Sequence, residues 1–501
     1  MSRSTHTPPI RIRTLNEGEV RTDGRYVLYW MNATRRVRSN HALDRALELA
    51  VELDAPLLVL EALRCDYPWA NDRIHRFAMQ GMRDNAAAFA ETGIRYHPYV
   101  ETRRGAGKGL LCALARDACV VVTDDFPSFF FPRMLAAAAE QVPVRFEAVD
   151  SNGLLPLRAA DRVFSRAFDL RRFLQRELRP HLLQQPRRNP LSHLRLRPLR
   201  TLPTGVRQRW PSASRSLLAG SPSKLAELPI DHGVPAVNLE GGALSARKIL
   251  KRFVAKRLES YGEDRNHPDA EAASGLSPFL HFGHVSPHEV LAALAKHESW
   301  TTECIEPIRS GSRLGWWGMS EAAESFLDQL VTWRELGLNF AANRDDIDRY
   351  ESLPDWARET LETHAFDERP HQYTLAQFDA AETHDEVWNA AQTELRETGR
   401  MHNYLRMLWG KKILHWSPDP RSALAVMIEL NNRYALDGRD PNSYSGIFWV
   451  LGRYDRPWGP ERQVFGKVRF MSSKNTRRKL HLDRYIEQWG PTGEAEARFA
   501  P

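Results

Sequence analysis

Three stretches in the C-terminal half carry residue types whose spacing suits chemistry as well as packing. The first is Ser274-Gly275-Leu276-Ser277-Pro278-Phe279-Leu280-His281-Phe282-Gly283. Ser277 is a good N-cap and Pro278 fits the first helical position, so a helix is predicted to start there. Its free backbone N–H groups, approached past small Ser and Gly residues, suit a phosphate or pyrophosphate. Ser286-Pro287-His288-Glu289 is a capping box; capped helix starts are common and carry little weight alone. The second stretch is the helical run 401–416. Arg406 and Trp409, three apart, share a face. Trp409 and Trp416, seven apart, lie on one stripe about 10.5 Å apart along the axis. Trp388 precedes this helix in Val387-Trp388-Asn389-Ala390-Ala391-Gln392. A tryptophan stripe is usually core, yet packing alone would more naturally use Leu or Ile at both positions. The third stretch, 430–442, is a polar, turn-rich loop leaving a helix, with Asn431, Asp437 and Gly438 in it. Loops this polar beside a core usually carry function.

Composition bounds the setting. At roughly 150 residues per domain, the 501 residues predict about three domains or two larger ones. A chain 42% hydrophobic and 27% charged is globular, which excludes wholesale disorder. No run of about 18 apolar residues exists, so no membrane span is expected, and the polar first twenty residues do not read as a secretory signal. Cys65, Cys112, Cys119 and Cys304 form no CxxC pair. That argues against zinc ribbons, thiol redox chemistry and an all-cysteine iron–sulfur site, and fits a reduced, cytoplasmic setting. The net charge of +7 suits a polyanionic partner.

The elements that must position these residues fall into three regions. Over 22–155, short apolar runs (26–31, 56–60, 95–100, 119–123, 144–149) alternate with helical patterns (42–53, 71–92, 108–115, 132–141). This predicts an α/β domain with a doubly wound, mostly parallel sheet. Ligands in such sheets bind beyond the strand carboxyl ends, and Thr123-Asp124-Asp125 is one such end. Gly105-Ala106-Gly107-Lys108-Gly109 lacks the first glycine of a phosphate loop and reads as a turn entering a helix. Residues 156–242 form a basic, Pro/Arg-rich connector. Between 171 and 215 it holds twelve arginines against the single acid Glu177, and its prolines at 180, 186, 190, 198, 203 and 211 are expected to break any long helix. It reads either as a solvated linker or as an added attraction for phosphate. From 243 to about 490 an all-helical domain is expected, with the last dozen residues frayed.

Together WMNATRRVRSNHAL, SGLSPFLHFG, SFLDQLVTWRELGLNF, THDEVWNAAQ, GRMHNYLRMLWGKKILHW, LDGRDPNSYSGIFW and FGKVRFM span nearly the whole chain. On these motifs the sequence resembles the photolyase/cryptochrome family, and within it the class II cyclobutane pyrimidine dimer photolyases or a related bacterial branch. The resemblance implies an α/β domain followed by a helical domain holding a U-shaped FAD. It places Tyr261 and Ala273 to Ser277 (Ser274, Gly275 and Leu276 between them) at the pyrophosphate. It sets Arg406 and Asp437 as an ion pair flanking the flavin, Gly438 beside them, and Asn431 facing flavin N5, where an amide oxygen can accept from the reduced ring. An arginine near the ring supports its negative charge. Trp409, Trp388 and Trp416 match an electron relay running in that order from flavin to surface. The implied reaction is light-driven: the reduced flavin gives an electron to a pyrimidine dimer flipped out of UV-damaged, single- or double-stranded DNA. Trp333 and Trp449 align with the two aromatic walls around the dimer. Arg265, Arg456 and Arg469 align with basic residues near the lesion, and Arg477, Arg478 and Lys479 read as further backbone contacts. The family's active-site glutamate is replaced by Gln329, which can donate through NH₂ but cannot shuttle a proton. Asp328, about 100° away on a helix, does not simply substitute. A deazaflavin antenna occurs in class II enzymes, but no residue set here is specific for it. A monomer is expected. The alternatives are a cryptochrome-like blue-light photoreceptor, slightly favoured by Gln329 and disfavoured by the lack of a long tail after Trp489, and a non-photoactive nucleic-acid binder, which leaves the three tryptophans unexplained.

Overall fold

The computed structural model describes residues 7–192 and 195–490; the final residues expected to fray lie outside them. Six strands form one sheet: β1 (Ile12–Thr14), β2 (Tyr26–Met31), β3 (Leu57–Leu63), β4 (Arg95–Val100), β5 (Ala118–Asp124) and β6 (Phe146–Val149). Their order is β1-β6-β5-β2-β3-β4, and every pairing is parallel except the antiparallel β1–β6 edge. β2 and β5 are buried along their whole length, as strands covered on both faces must be, so they read as continuous apolar runs. Their side chains alternate. Tyr26, Leu28, Leu58 and Val121 pack on one face, and Val27, Tyr29, Val59 and Val122 on the other. Helices α1 (His41–Glu52), α2 (Asp72–Ala90), α3 (Leu110–Ala115) and α4 (Phe131–Ala139) connect the strands. α1 starts at Asn40, whose side chain accepts from the Ala42 and Leu43 N–H groups. The sequence pattern missed β1, three residues in an arginine-rich, polar segment that become a strand only by pairing with β6.

Two expectations are corrected. Thr123-Asp124-Asp125 is not an open ligand site. Asp124 Oδ2 accepts from the N–H groups of Asn32, Ala33 and Thr34 at 2.9, 2.8 and 2.8 Å, while Asp125 is paired with Arg13 and Arg158. Nor do the connector prolines prevent a long helix. α5 runs from Ala167 to Leu182 with Pro180 in its last turn, so the helix ends two residues past the proline and the proline does not prevent it. Leu170, Leu174, Leu178 and Leu182, four apart, give it a buried stripe. The connector is held in place: Arg171, Arg187 and Arg197 pair with Asp328, Asp44 and Asp54, and buried Trp210 donates to the Ala106 carbonyl at 2.8 Å. It is a strap more than a solvated linker.

From Ala243 to Trp489 the described chain is helical, and none of its helices is long and apolar enough to cross a membrane. The sheet and the helices meet through buried polar contacts. Glu335 Oε1 accepts from the Leu154 and Leu155 N–H groups at 2.7 and 3.2 Å, and Arg334 donates to the Asn152 carbonyl at 2.7 Å. Arg36 reaches the carbonyls of Gly283 and Ser151, and Arg73 those of Leu395 and Tyr434. Burial pushes the Glu335 carboxyl up to about 7 against the opposing pull of Arg334 and the two N–H donors. A carboxyl whose folded pKa is raised contributes stability that is full below its unfolded value and is lost as pH rises through the folded one. Glu335→Gln keeps the acceptor and removes the ionisation. Relative to the variant, the wild-type melting temperature should therefore fall between about pH 4.5 and about pH 7. A constant difference across that window would show that Glu335 does not titrate there.

Candidate functional site

Within the helical half a cavity with about 650 Å³ of empty space, its open mouth included, is lined by Tyr261, Ser274, Ser277, Phe326, Gln329, Arg406, Asp437 and Ser443 among others. Arg406 Nη2 lies 3.2 Å from Asp437 Oδ1. Burial alone would raise the Asp437 carboxyl, but the Arg406 charge and hydrogen bonds from Ser277 and Arg406 hold it below the usual carboxylate range. The pair is therefore ionic at neutral pH, a fixed cation–anion couple in the wall. Gly275 adopts φ +72°, where a side chain would be strained, and the Arg400 guanidinium lies 3.8 Å from the place a Cβ would take.

Ser277 is not the N-cap. Leu276 holds that position without a side-chain bond, and Ser277 is the first residue of the helix Ser277–His281. Leu276 is buried in the core, and the Ser277 hydroxyl bonds to Asp437. The helix is only 5 residues long, so its dipole is small. The Ser286 capping box is formed as expected.

Asn431 is buried behind Ser443: its Nδ2 donates to Ser443 Oγ at 2.9 Å and to Asn432 Oδ1 at 3.2 Å. Gly438 closes the loop after this helix, where a Cβ would come 2.9 Å from the Asn431 carbonyl oxygen. Arg439 was missed from sequence. It is buried at φ +67° and its guanidinium caps the carbonyls of Asn432, Ala435 and Leu436. The available signal was a cation just past a helix C-terminus.

The three indoles are joined. Trp409 Nε1 donates to Gln392 Oε1 at 2.9 Å, Trp388 Nε1 donates to the Trp409 carbonyl at 3.0 Å, and the Trp388 and Trp416 rings lie 6.0 Å apart at 70°. Trp416 is not at the surface, as the relay order implied. It is 1% exposed, roofed by Tyr373 and His384 with ring centroids at 5.5 and 5.0 Å and by Lys412, whose Nζ lies 5.0 Å from its ring. Tyr373 in turn lies 2.6 Å from His384 Nδ1 through its hydroxyl. The segment that folds over Trp416 is remote in sequence, so no helical periodicity announces it.

At the cavity's other side the chain from Asp328 to Trp333 forms a π-helical turn, a rare geometry associated with functional sites. Gln329 lines the cavity, while Asp328 points away to Arg171 Nε at 2.6 Å. Trp333 is half-buried, as is Trp449 on the helix Pro441–Val450. Gly337 lets the helices carrying them cross closely, since a Cβ there would meet Pro441 O and Ser445 Oγ at 2.8 Å. The Arg469 guanidinium lies 5.7 Å from the Trp449 ring and 4.7 Å from that of Trp458; Arg456 lies 4.2 Å from Trp458. Trp458, unremarked in the sequence, thus gathers both arginines. Arg265 sits 5.9 Å over the Tyr261 ring. Arg477 is paired with Glu386, and Arg478 and Lys479 are exposed.

A second cavity opens at the carboxyl ends of β2 and β3, between sheet and helices. It is lined by Trp30, Arg35, Tyr67, Phe130, His281 and Phe282 among others, with about 860 Å³ of empty space including its mouth. All four cysteines are free, and the described residues contain no cluster of potential metal ligands.

This two-domain arrangement is that of the photolyases and cryptochromes. A bacterial class III photolyase from Agrobacterium tumefaciens matches 93% of this chain and 86% of its own at TM-score 0.66 and 16% identity. A cryptochrome from Synechocystis matches 93% of this chain and 88% of its own at TM-score 0.67 and 13% identity. At those identities the likeness speaks for the fold. No family model matches the sequence. Curated relatives named deoxyribodipyrimidine photo-lyase are 35% identical in Methanothermobacter thermautotrophicus (95% of this chain, 97% of the relative) and 31% identical in Potorous tridactylus (96% and 84%). One from Arabidopsis thaliana is 32% identical over 97% of this chain and 94% of the relative. The chain belongs to the deoxyribodipyrimidine photo-lyase family.

Proposed function

We propose that the chain repairs UV-damaged DNA by light, splitting cyclobutane pyrimidine dimers with FAD held in the helical cavity. The observation that carries this reading is the Arg406–Asp437 couple in the wall of a cavity that also presents Gln329, with the buried indoles Trp409 and Trp416 on the Arg406 helix and Trp388 touching both from the neighbouring helix. The residues fit the cofactor. Gly275 leaves room for a diphosphate beside Arg400, Ser274 and Ser277 offer hydroxyls, and Tyr261 and Phe326 offer aromatic edges. What FAD supplies when bound is a photo-excited electron given to the dimer and recovered after the ring opens.

The chain's own residues do the remainder. Arg406 holds positive charge where a reduced ring needs it, and Asp437 keeps Arg406 in place. Asn431, behind the cavity wall, donates to Ser443 and so orients the hydroxyl that lines the cavity, a neutral group without an ionisable proton. Trp409, Trp388 and Trp416 pass electrons inward, each refilling the one nearer the cofactor. Trp333 and Trp449 stack the extruded dimer, Gln329 donates to its carbonyls, and Arg265, Arg456 and Arg469 hold the flanking phosphates. The second cavity, lined by aromatic rings together with Arg35, Arg64 and Arg439, is where a planar antenna pigment would sit.

Blue-light repair of a thymine-dimer oligonucleotide tests the reading. Dimers should disappear only under illumination and only with reduced protein. Persisting lesions in a protein whose flavin photoreduces would favour the photoreceptor reading instead. Gln329→Glu, which restores an ionisable carboxyl, should raise the repair yield severalfold and make it pH-dependent; an unchanged yield would mean that the amide suffices.

A further inference from the structure

Behind Trp449 lies a charge with no part in the scheme above. Lys411, two residues past Trp409 on the helix Asn403–Trp416, has no exposed surface. Lysine is almost never fully buried unless paired, yet no carboxylate lies within ion-pair distance of it among the described residues. Its Nζ donates to the carbonyl of Val450, the last residue of the helix Pro441–Val450, and lies 5.3 Å from the Trp449 ring centroid. A carbonyl at a helix C-terminus is a natural acceptor for a cation, and an indole face is attracted to one. Both partners belong to the element that carries the lesion wall.

We propose that Lys411 is a positioning residue for the lesion: its ammonium, held between the Val450 carbonyl and Trp449, fixes the tilt of the indole and draws negative charge from its opposite face, so that the protonated form binds a pyrimidine dimer more tightly than the neutral form. The chemistry of the ligand suits this. Dimerised pyrimidines have lost their C5–C6 double bonds and present carbonyl oxygens in place of an aromatic face. An indole polarised by a cation on one side meets those oxygens more favourably on the other. The inference rests on Trp449 being a lesion wall.

Burial brings the Lys411 pKa down to about 7, with Asp455 opposing the shift and Arg469 adding to it. Those two, from the segment after Val450, are the charged groups that act on it among the described residues. From the helix Pro441–Val450, Trp449 and the Val450 carbonyl contact it. On its own helix, Lys412 turns to Asp385 and Trp416, and His415, pushed by burial to about 4, packs on Phe465 and stays neutral near pH 7.

The test is dark binding of the flavin-loaded full chain to dimer-containing and undamaged oligonucleotides, between about pH 5.5 and about pH 8.5 at constant ionic strength. Affinity for the dimer should fall severalfold as pH rises through neutrality, with a smaller change for undamaged DNA. Lys411→Met should lack the step and bind as the high-pH wild type does. Lys411→Arg, always charged, should stay in the tight-binding form throughout. A flat wild-type profile, or the same step in Lys411→Met, overturns the proposal. If Lys411→Met fails to retain flavin, the wild-type and Lys411→Arg profiles decide alone. A wild type with no preference for the dimer at any pH would sink the repair reading itself; a preference without a pH step sinks only Lys411.

Discussion

Trp409→Phe should abolish photoreduction of the bound flavin while leaving repair intact once the flavin has been reduced chemically. Phenylalanine keeps most of the volume and the packing of the indole, but its ring is far harder to oxidise. Trp409 lies three residues past Arg406 on the same helix, and Trp388 is anchored to its backbone carbonyl, so the neighbour stays placed when the ring changes. The variant leaves Gln392 Oε1 without its donor, at a stability cost of about 1–3 kcal/mol, which a folded, flavin-loaded preparation would tolerate. Stopped illumination followed by absorption spectra reads the first half of the prediction, and an oligonucleotide assay with dithionite-reduced protein reads the second. Undiminished photoreduction would refute the route through Trp409. Loss of repair in the pre-reduced variant would instead give Trp409 a part in the cavity itself.

The second large effect is expected at the lesion walls. Each base stacked on an aromatic side chain is worth about 1–3 kcal/mol, so Trp449→Ala or Trp333→Ala should weaken binding of a dimer-containing oligonucleotide by about 5- to 150-fold. Undamaged DNA, held through its phosphates, should be bound almost as well as before. Arg469→Ala should do the reverse, lowering both affinities and flattening their salt dependence. Its effect on the dimer should be compounded, because its guanidinium also lies against Trp449. Equal losses for damaged and undamaged DNA in the tryptophan variants would remove these residues from lesion recognition.

What the sequence revealed followed the range of the interaction responsible. The buried strands β2 and β5 were legible because a two-sided burial leaves an unbroken apolar run, and the capping box at Ser286 because all of its partners lie within four residues. β1 was not legible, since three mixed residues become a strand only through a partner more than a hundred residues away. α5 was misjudged because a proline in a last turn was weighed as one in mid-helix, against a leucine stripe that points the other way. At the site, the Arg406–Asp437 couple followed from motif resemblance. The turn of Ser277 toward Asp437 joins residues far apart in sequence and left no local sign. The divergence of Asp328 and Gln329 was visible as a difference in helical face. The π-helical turn that carries them, the arginine-gathering Trp458 and the roof over Trp416 are products of tertiary contact and leave no local pattern.

The seam between sheet and helices has a practical corollary. Because Glu335, Arg334, Arg36 and Arg73 each complete their bonding on the other half, cutting the chain between the halves would strand charged groups in newly wetted, mismatched surfaces. The helical half expressed by itself is therefore a poor starting point for a minimal light-activated fragment. Shortening efforts belong at the exposed loops, away from this seam.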